Sequence, residues 1–428
     1  MSFASLGLMP ALERALADSG YTHPTDIQAQ AIPLALKGHD LLGAAQTGTG
    51  KTAAFALPIL QRLQADPKTT RKVRALVLTP TRELCAQVLE SIRTYGKHAP
   101  LKALAVYGGV SMNPQLEALR RGVDILIATP GRLQDHIERR SVDLSQVEIL
   151  VLDEADRMLD MGFLPAMKRV IGSLPRSRQT MMFSATFSTE IKALAAQFQR
   201  SPIEVQVAQQ NSTAQSVTHI AHPVDSDRKK DALLEVLSQN SREQTLVFSR
   251  TKHGADKLAK TLMHAGLRTA VIHGNRSQAQ RMRALGDFKD GKVTVLVATD
   301  VAARGIDIVQ LPQVINYDLP MVAEDYVHRI GRTGRAGAVG RALSFVTRED
   351  LEMFRDIEKL TKQTILLEPL PGFEPTGIFR AVKAPPRQQQ QRGPRRNSSQ
   401  PAGRTPHAAQ HRSPRSPNGN SMTRARKA

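Results

Sequence analysis

The sequence is poor in cysteine and has no long apolar run. Its single cysteine, Cys85, excludes an intrachain disulfide framework and any cysteine-rich zinc module, and it fits a reducing compartment. We interpret this thiol as a small buried apolar group rather than a redox sensor. No uninterrupted apolar run approaches the ~18 residues that a membrane-spanning helix requires, and the first residues do not form a signal-peptide pattern. These absences favour a soluble cytoplasmic protein that does not enter membranes.

The segment from Ala381 to Ala428 lacks acidic and aromatic side chains altogether. It contains eleven basic residues, seven prolines and a run of glutamine from Gln388 to Gln391. Such a segment has little to bury against the entropy cost of ordering, so we predict that residues 371–428 form a disordered basic tail. The tail either tethers nucleic acid electrostatically or merely aids solubility. Without aromatic rings it cannot stack on bases.

The overall composition points to a folded protein with a polyanionic partner. A length of 428 residues suggests two or three domains, and 41% hydrophobic residues suffice for buried cores. The 59 lysines and arginines outnumber the 39 acidic residues, which gives a formal net charge of +20. This charge favours nucleic acid or an anionic membrane surface as the partner.

Short apolar runs rich in β-branched residues alternate with helix-like segments upstream of the tail. Because such runs are typical of parallel strands covered on both faces, two series of them predict two doubly wound α/β domains with parallel sheets. The first series is Leu41–Ala44, Ala75–Leu78, Asp124–Ala128, Ile149–Leu152 and Thr180–Phe183, and the second is Thr245–Phe248, Thr269–Ile272, Val293–Ala298, Val314–Tyr317 and Ala342–Val346. We place an amino-terminal region at 1–29, the domains at 30–206 and 217–370, and a polar linker at 207–216.

A glycine-rich loop after the first predicted strand indicates a phosphate-binding site. It runs from Ala45 to Thr52, with alanine where the strict pattern has its first glycine. Gly48 and Gly50 let backbone N–H groups point at phosphate oxygens, and a helix beginning near Lys51 adds its positive dipole end. Lys51 would neutralise the β- and γ-phosphates, and Thr52 would place its hydroxyl on Mg²⁺. The alternative is a chance glycine-rich turn.

Two carboxylates follow the strand Ile149–Leu152, in the run Asp153-Glu154-Ala155-Asp156. We assign Asp153 to Mg²⁺ and Glu154 to the orientation and deprotonation of the attacking water. An acidic strand end is otherwise often a helix cap. Ligands of open parallel sheets bind beyond the carboxyl ends of the strands, so we expect this pair and the phosphate loop to form one composite site.

Three arginines stand three residues apart at Arg329, Arg332 and Arg335. They form either a solvated basic helix face or a catalytic element, in which Arg332 and Arg335 act in cis as arginine fingers on the γ-phosphate. Since they belong to the second domain and Lys51 to the first, they could act only when the domains close.

With these motifs the chain resembles the DEAD-box ATP-dependent RNA helicases of superfamily 2, whose four-letter signature stands at Asp153–Asp156. The resemblance extends from Phe3 to about Thr347, and segments such as Leu152–Phe163 and His273–Asp307, together with the tail, look like the bacterial RhlE-type subgroup. It implies two tandem RecA-like domains, ATP and Mg²⁺ as cofactors, and RNA as the partner.

The resemblance also implies nucleotide contacts that the chemistry alone does not. Gly20–Gln28, with the isolated Phe3 upstream, looks like the family's Q motif, in which Gln28 would read the adenine edge and Tyr21 would pack near the base. The other implied nucleotide contacts lie in the phosphate loop and the second domain: Ala45, Gln46, Thr47, Gly48, Thr49, Gly50, Lys51, Thr52, Gly305 and Asp307.

Further matches imply RNA contacts made by backbone amides, hydroxyls and single arginines. These groups suit phosphate oxygens and 2′-hydroxyls rather than base edges, so we expect little sequence preference. The implied contacts are Thr81, Arg82, Gly109, Thr129, Pro130, Gly131, Arg132, Arg250, Arg281 and Thr299. Ser184, Ala185 and Thr186 match the family motif that couples hydrolysis to strand separation.

We therefore expect an RNA-stimulated ATPase that unwinds or remodels RNA duplexes and RNA–protein complexes locally and non-processively. The alternatives are an ATP-gated RNA clamp or annealing chaperone with little strand separation, and a DNA helicase, which the signature makes less favourable. We expect either ribosomal particles or the RNA-decay machinery as partners.

Overall fold

The structure is a computed structural model that describes residues 2–45, 49–68, 72–185, 187–207, 217–239, 242–303, 308, 311–334 and 340–376. Most of the predicted linker and of the predicted basic tail lies outside these residues. The described strands form two seven-stranded sheets, and both sheets lie in one compact unit.

The first sheet has the strand order β3-β4-β2-β5-β6-β1-β7, with every pair parallel. Its domain begins with a short 3₁₀ turn at Phe3–Leu6. The elements that follow are α1 (Pro10–Asp18), α2 (Asp26–Leu36), β1 (Leu41–Ala44), α3 (Lys51–Ala65), β2 (Ala75–Leu78), α4 (Arg82–Tyr95), β3 (Ala103–Val106), α5 (Asn113–Arg120), β4 (Ile125–Ala128), α6 (Pro130–Glu138), β5 (Ile149–Leu152), α7 (Ala155–Asp160), α8 (Leu164–Gly172), β6 (Gln179–Ser184), α9 (Thr189–Phe198) and β7 (Ile203–Gln206).

The second sheet has the order β10-β11-β9-β12-β13-β8-β14, again with every pair parallel. Its elements are β8 (Val217–Pro223), α10 (Lys229–Gln239), β9 (Thr245–Phe248), α11 (Lys252–His264), β10 (Thr269–Ile272), α12 (Gln278–Lys289), β11 (Val295–Ala298), α13 (Asp300–Ala303), β12 (Gln313–Asn316), α14 (Ala323–Ile330), β13 (Gly340–Val346), a 3₁₀ turn (Arg348–Asp350), α15 (Leu351–Thr361) and β14 (Leu366–Leu367).

Helices cover both faces of each sheet, and the apolar runs of the strands follow from this arrangement. In β2, Ala75 and Val77 pack into one core, whereas Leu76 and Leu78 pack into the core on the opposite face. Because successive side chains of a strand point to opposite faces, a strand buried on both sides must be apolar throughout. The predicted fold class, two tandem RecA-like domains with doubly wound parallel sheets, is confirmed.

Most of the predicted strands lie in the interior of the sheets, and most of the strands at or near the sheet edges were not predicted. Each predicted run overlaps an observed strand, with ends that differ by two residues at most. The prediction missed β3 and β7, which end the first sheet, and β8 and β14 at one side of the second. These strands are partly exposed or carry polar residues, as in Ile203-Glu204-Val205-Gln206, so their apolar signal is weaker.

Contacts with the second domain continue past the predicted boundary at residue 370. The guanidinium of Arg228 lies 4.8 Å from the centre of the Phe373 ring. Further along, the N–H and hydroxyl of Thr376 donate to the Asp225 carboxylate at 2.9 and 2.8 Å. The packed chain therefore reaches at least Thr376.

The burial of Cys85 and the lengths of the helices relate to two expectations from the sequence. Cys85 is fully buried on α4, and burial raises the pKa of its thiol well above the usual range, so it behaves as an apolar core residue. Among the described helices, none combines the length and apolar character that a membrane crossing demands.

Candidate active site at the carboxyl ends of the strands

Polar segments of the first domain meet where β5, β6 and β1 end. These three strands are neighbours in the sheet. The phosphate loop follows β1, Asp153 follows β5, and Ser184 ends β6. The loop is joined to β6 directly, because Ala45 N donates to Ser184 O at 3.1 Å. The composite site expected from the sequence thus lies along one edge of the sheet.

The end of the phosphate loop leaves a buried cation without a partner. Gly50 caps α3 with a φ of 90°, and a Cβ there would overlap the side-chain amide of Gln28, so the position requires glycine. Lys51 opens the helix and is buried, yet its Nζ has no hydrogen-bond partner among the described residues. An unpaired buried ammonium is costly, so this group fits an anionic ligand such as a phosphate. Thr52 follows it in the first turn.

The two acidic residues after β5 have distinct environments. Asp153 is buried, and its Oδ1 lacks a hydrogen-bond partner within the described chain. Burial raises the pKa of Asp153 to about 7, with Glu154 and Asp156 contributing and Lys51 opposing. An unpaired carboxylate oxygen of this kind fits a divalent cation, and Mg²⁺ is usually held by one or two protein groups together with substrate phosphates. Glu154 has a left-handed backbone (φ 53°, ψ 54°), a conformation that concentrates at functional sites.

The fourth residue of the signature connects two of the motifs. The Asp156 carboxylate accepts a hydrogen bond from Ala185 N at 2.9 Å and another from Arg157 N at 2.9 Å. It therefore ties the acidic segment after β5 to the Ser184–Ala185 segment after β6.

The Q-motif residues lie beside the phosphate loop. Gln28 is buried; its Oε1 accepts from Thr25 N at 3.0 Å and its Nε2 donates to Gly50 O at 3.1 Å. The amide therefore caps α2 and holds the phosphate loop at the same time. Tyr21 is 42% exposed and packs edge-on against Tyr95, with the ring centres 5.8 Å apart.

Two predicted RNA-contact residues of the first domain stand at the start of α4. Thr81 caps the helix, since its Oγ1 accepts from Leu84 N at 3.2 Å. The Arg82 guanidinium lies against Gly109, where a Cβ would overlap it. Gly109 has a φ of 75°, so both space and backbone require glycine there.

A second group of predicted RNA contacts follows β4. Thr129 precedes α6, which begins with Pro130 and Gly131. Arg132 donates to Val110 O at 3.2 Å and contacts the Asp135 carboxylate at 3.4 Å. Its Nε and Nη1 are buried and have no hydrogen-bond partner in the described part of the chain. Nε lies near the Asp135 carboxylate, so Nη1 is the donor that fits an anionic ligand.

The corresponding edge of the second domain presents Arg250 and Thr299. Arg250 N donates to Asp318 at 2.9 Å, and its half-exposed guanidinium donates to Asp350 at 3.2 Å. Thr299 is buried just after β11, where its N–H donates to Ile272 O at 3.4 Å. Both residues therefore lie at the carboxyl ends of the second sheet.

A buried polar bridge joins the two domains. Glu83, on α4, accepts from Gln278 Nε2 at 2.8 Å and from Arg281 Nη2 at 3.0 Å, and both partners lie on α12. All three side chains are buried. Burial lowers the pKa of the Arg281 guanidinium, and the Glu83 carboxylate opposes that shift. The two domains also come close at Asp160. Burial raises the pKa of its carboxyl, and acidic neighbours that include Glu324 of the second domain raise it further.

In the arginine segment, Arg329 has a structural role and Arg332 is a candidate catalytic residue. Arg329 is 2% exposed, and its Nε and Nη2 donate to the two oxygens of Asp300 at 2.6 and 2.7 Å. The guanidinium also lies 4.8 Å from the centre of the Phe248 ring. Arg332 follows the end of α14 and is buried as well. The solvated helix face considered from spacing alone is therefore not what these two residues form.

Seven predicted site residues lie outside the residues that the structure describes: Gln46, Thr47, Gly48, Thr186, Gly305, Asp307 and Arg335. Of the others, the structure brings Gln28, Ala45, Gly50, Lys51, Asp153 and Ser184 together at one edge.

Three residues with clear contacts at this edge were not singled out from the sequence. Asp156, Glu83 and Asp300 each accept hydrogen bonds that connect separate motifs. Each stands inside a motif that was recognised for other residues. An acidic residue in the first turn of a helix is favourable through the helix dipole alone, so its sequence context does not indicate a distant partner.

Comparisons with known proteins agree with this geometry. The DEAD/DEAH box helicase family matches residues 25–194, and the helicase conserved C-terminal domain matches residues 228–337. The ATP-dependent RNA helicase DeaD of Mycobacterium tuberculosis is 44% identical over 383 residues, which are 89% of this chain and 67% of that protein. The DEAD-box ATP-dependent RNA helicase CshA of Bacillus subtilis is 42% identical over 363 residues, 85% of this chain and 73% of that protein.

Solved structures extend the comparison to the arrangement of the domains. Saccharomyces cerevisiae Dbp5 bound to RNA and ADP BeF3 has a TM-score of 0.75 at 31% identity, and the match covers 86% of this chain and 95% of that one. A DEAD box protein from Methanococcus jannaschii has a TM-score of 0.51 at 37% identity, covering 85% and 98%. Dbp5 gives the higher TM-score although its sequence is the more distant, and the match spans both domains.

Two RecA-like domains whose facing edges carry a phosphate loop, an acidic pair and buried arginines define a nucleotide-dependent motor of the helicase class. The family and sequence matches narrow this class: the chain belongs to the DEAD-box ATP-dependent RNA helicases.

Proposed function

We propose that this helicase opens RNA duplexes locally and non-processively, as its two domains close around ATP and RNA. The observation that carries the proposal is the buried bridge from Glu83 to Gln278 and Arg281, which is made only when the domains meet. Closure would also bring Arg332 of the second domain towards the edge that carries Lys51 and Asp153. ATP and RNA would each favour the closed arrangement, and hydrolysis would release it.

The first domain would supply most of the ATP chemistry. Mg²⁺, held by Thr52 and Asp153, would neutralise phosphate charge when it is bound. Lys51 pairs with the phosphate oxygens, and Glu154 orients the attacking water and takes its proton. The buried, unpaired Nζ of Lys51 and Oδ1 of Asp153 support these roles.

The second domain and the Q motif would complete the nucleotide pocket. Arg332 and Arg335 would stabilise charge that develops on the γ-phosphate. Gln28 would read the adenine edge, with Tyr21 near the base. The remaining contacts would come from Ala45, Gln46, Thr47, Gly48, Thr49, Gly50, Gly305 and Asp307.

The RNA grip would be independent of base sequence. Its donors are hydroxyls, backbone amides and guanidinium groups, which match phosphates and 2′-hydroxyls. The buried Nη1 of Arg132, which has no hydrogen-bond partner among the described residues, supports an anionic ligand beside α6. The proposed contacts are Thr81, Arg82, Gly109, Thr129, Pro130, Gly131, Arg132, Arg250, Arg281 and Thr299, and Ser184, Ala185 and Thr186 would couple the grip to hydrolysis.

We place this activity in the cytoplasm, where the protein would act on ribosomal particles or together with the RNA-decay machinery. We assign the protein to the RhlE-type subgroup. The single buried cysteine and the net charge of +20 support a reducing compartment and a polyanionic partner. We retain the domain limits 1–29, 30–206, 207–216 and 217–370 as working boundaries, with the second domain extended to Thr376 and the basic tail beyond it.

Steady-state ATP hydrolysis tests the central claim. The full chain is assayed alone, with single-stranded RNA, and with DNA of matching sequence, and Glu154→Gln gives the background. We expect strong stimulation by RNA alone. Equal stimulation by DNA would support the DNA-helicase alternative, and activity that ignores RNA would remove the coupling that the closed site implies.

Strand displacement separates unwinding from the clamp alternative. A short RNA duplex with a single-stranded tail is mixed with the protein and ATP, and release of the labelled strand is followed. We expect displacement of short duplexes that falls steeply with duplex length, because opening is local. Normal RNA-stimulated hydrolysis without displacement would favour an ATP-gated clamp or annealing chaperone.

A further inference from the structure

The outer edge of β3 leaves peptide groups of the first sheet uncovered. β3 ends the sheet, and among the described residues it pairs with β4 alone. The carbonyl groups of Lys102 and Val106 accept hydrogen bonds from the β4 side. Because the peptide groups of a strand alternate in direction, the N–H and C=O groups of Ala103 and Ala105 must face outward.

Among the described residues, hydrogen bonds cover only the carboxyl end of this edge. Gln115 Nε2 donates to Tyr107 O at 3.1 Å, and Gln115 is itself held by His136 at 3.2 Å. No residue in the described ranges hydrogen-bonds to the outward groups of Ala103 or Ala105. An uncovered row of this kind is a template for an added strand.

An apolar groove of about 490 Å³ lies beside the amino end of β3. Its floor is formed by Leu60, Ile92, Leu101, Val123 and Ile125, which come from α3, α4 and the starts of β3 and β4. A groove of this size accommodates one or two apolar side chains of an extended peptide. The uncovered backbone and the apolar floor therefore lie side by side.

The rim of the groove is basic. Arg93, Lys102 and Arg121 line it and are exposed, and no acidic side chain of the described chain is among its lining residues. Among the described residues, Arg121 is the one of these three side chains with an ion pair, to Glu117 at 3.8 Å with both side chains in solvent, and the buried Asp124 carboxylate accepts from the Lys102 backbone N–H at 2.8 Å. Exposed pairs of this type contribute little, so the positive charge remains available.

This charge selects among the possible occupants. The protein's own segment from Ala381 to Ala428 carries eleven basic residues and no acidic one, so the rim would repel it. A second copy would present the same basic rim. An extended segment of another protein, with apolar and acidic side chains in alternation, matches both the backbone edge and the charge.

We propose that β3 binds an extended acidic segment of a partner protein as an added edge strand. Apolar side chains of that segment would enter the groove, and its carboxylates would meet Arg93, Lys102 and Arg121. The groove lies at the amino ends of β3 and β4, whereas the phosphate loop and Asp153 follow carboxyl ends. A partner held there would leave the ATP and RNA edges free.

Fluorescence anisotropy with a designed peptide tests the proposal. The probe is a fluorescein-labelled, end-capped octapeptide of alternating valine and glutamate, and the control probe has lysine in place of glutamate. The key variant is Ala103→Pro, which removes one outward N–H and leaves the ladder to β4 intact, as edge prolines do. Val271→Pro is the matched control, because Val271 occupies an outward position of β10, the edge strand of the second sheet.

We expect saturable binding of the glutamate probe to the full chain and to Val271→Pro, and no binding of the lysine probe. Binding to Ala103→Pro should weaken about tenfold. Arg93→Glu should weaken it as well, while the RNA-stimulated ATPase activity of both variants stays unchanged. Intact ATPase activity shows that the variants fold.

Several results would overturn the proposal. They are the absence of saturable binding, equal binding of the lysine probe, and undiminished binding to Ala103→Pro. Competition by a synthetic peptide of residues 381–428 would make the basic tail the occupant instead. Self-association that is lost in Ala103→Pro would assign the edge to a second copy of the chain.

Discussion

The bridge at Glu83 allows a direct test of domain closure. Glu83→Gln preserves the shape of the side chain and one acceptor oxygen, so the bond from Gln278 can persist. It removes the negative charge that faces the buried Arg281 at 3.0 Å. Glu83 belongs to the first domain, and Gln278 and Arg281 belong to the second. The change should therefore act on domain closure and not on the fold of either domain.

The expected size follows from the interaction that the substitution removes. One charge-assisted hydrogen bond contributes about 1.5–3 kcal/mol, which corresponds to about a 10- to 150-fold change in an equilibrium constant. Glu83→Ala should cost more, because it removes both bonds and leaves the Arg281 charge buried without a counterion. In the open arrangement water solvates Arg281, so the whole penalty falls on the closed state.

The assay is the RNA concentration that half-saturates ATP hydrolysis, measured at constant ATP. We expect this concentration to rise about 10- to 150-fold in Glu83→Gln. Glu90→Gln is the matched control, since Glu90 lies on the same helix and is exposed. A double-mutant cycle with Arg281→Met should show strong coupling, because the second substitution removes a bond that the first has already broken.

Additive effects in that cycle would refute the reasoning. So would a Glu83→Gln protein whose RNA dependence is normal but whose melting temperature falls, because that result would make the bridge a contributor to fold stability alone.

Three further predictions concern Arg335, the basic tail and His136. Arg335→Ala should abolish ATP hydrolysis while equilibrium binding of a fluorescent ATP analogue stays close to normal; equal loss of both would argue against an arginine finger. Truncation after Ala381 should weaken RNA binding and flatten its log–log salt dependence by about 0.7 for each phosphate that the protein no longer neutralises, and an unchanged slope would make the tail a bystander. Burial lowers the pKa of His136, so the unfolded chain takes up a proton more readily than the folded one, and the free energy of unfolding should fall as the pH drops below about 6.5. Urea denaturation across that range should show a smaller pH slope in His136→Gln, and an equal slope in both proteins would assign the effect to other groups.

The interior of each sheet could be predicted because its physics is local. A strand buried on both faces must be apolar at consecutive positions, and β2, β5 and β9 were predicted at their observed limits. The phosphate loop could be located for a similar reason, since its glycines, lysine and threonine are contiguous. The edge strand β7 lacks the double burial and carries polar residues, so its sequence gives a weaker signal.

The contacts between the domains could not be predicted, because their partners are distant in the chain. Glu83 and Gln278 are 195 residues apart, and nothing in either segment specifies the other. Asp156 presents the same difficulty on a smaller scale, since its partner Ala185 N is a backbone group 29 residues away. Motif recognition finds the segments, whereas only the fold shows which of their side chains meet.

The arginine segment shows why regular spacing is informative only within one element. Arg329, Arg332 and Arg335 are evenly spaced, which on a continuous helix would place them near one face. The helix α14 ends at Ile330, however, and Gly331 caps it. Arg329 in the last helical turn faces its own domain and pairs with Asp300, whereas Arg332 belongs to the chain beyond the cap. The helix ends between them, so one motif can carry a structural arginine and a candidate catalytic one three residues apart.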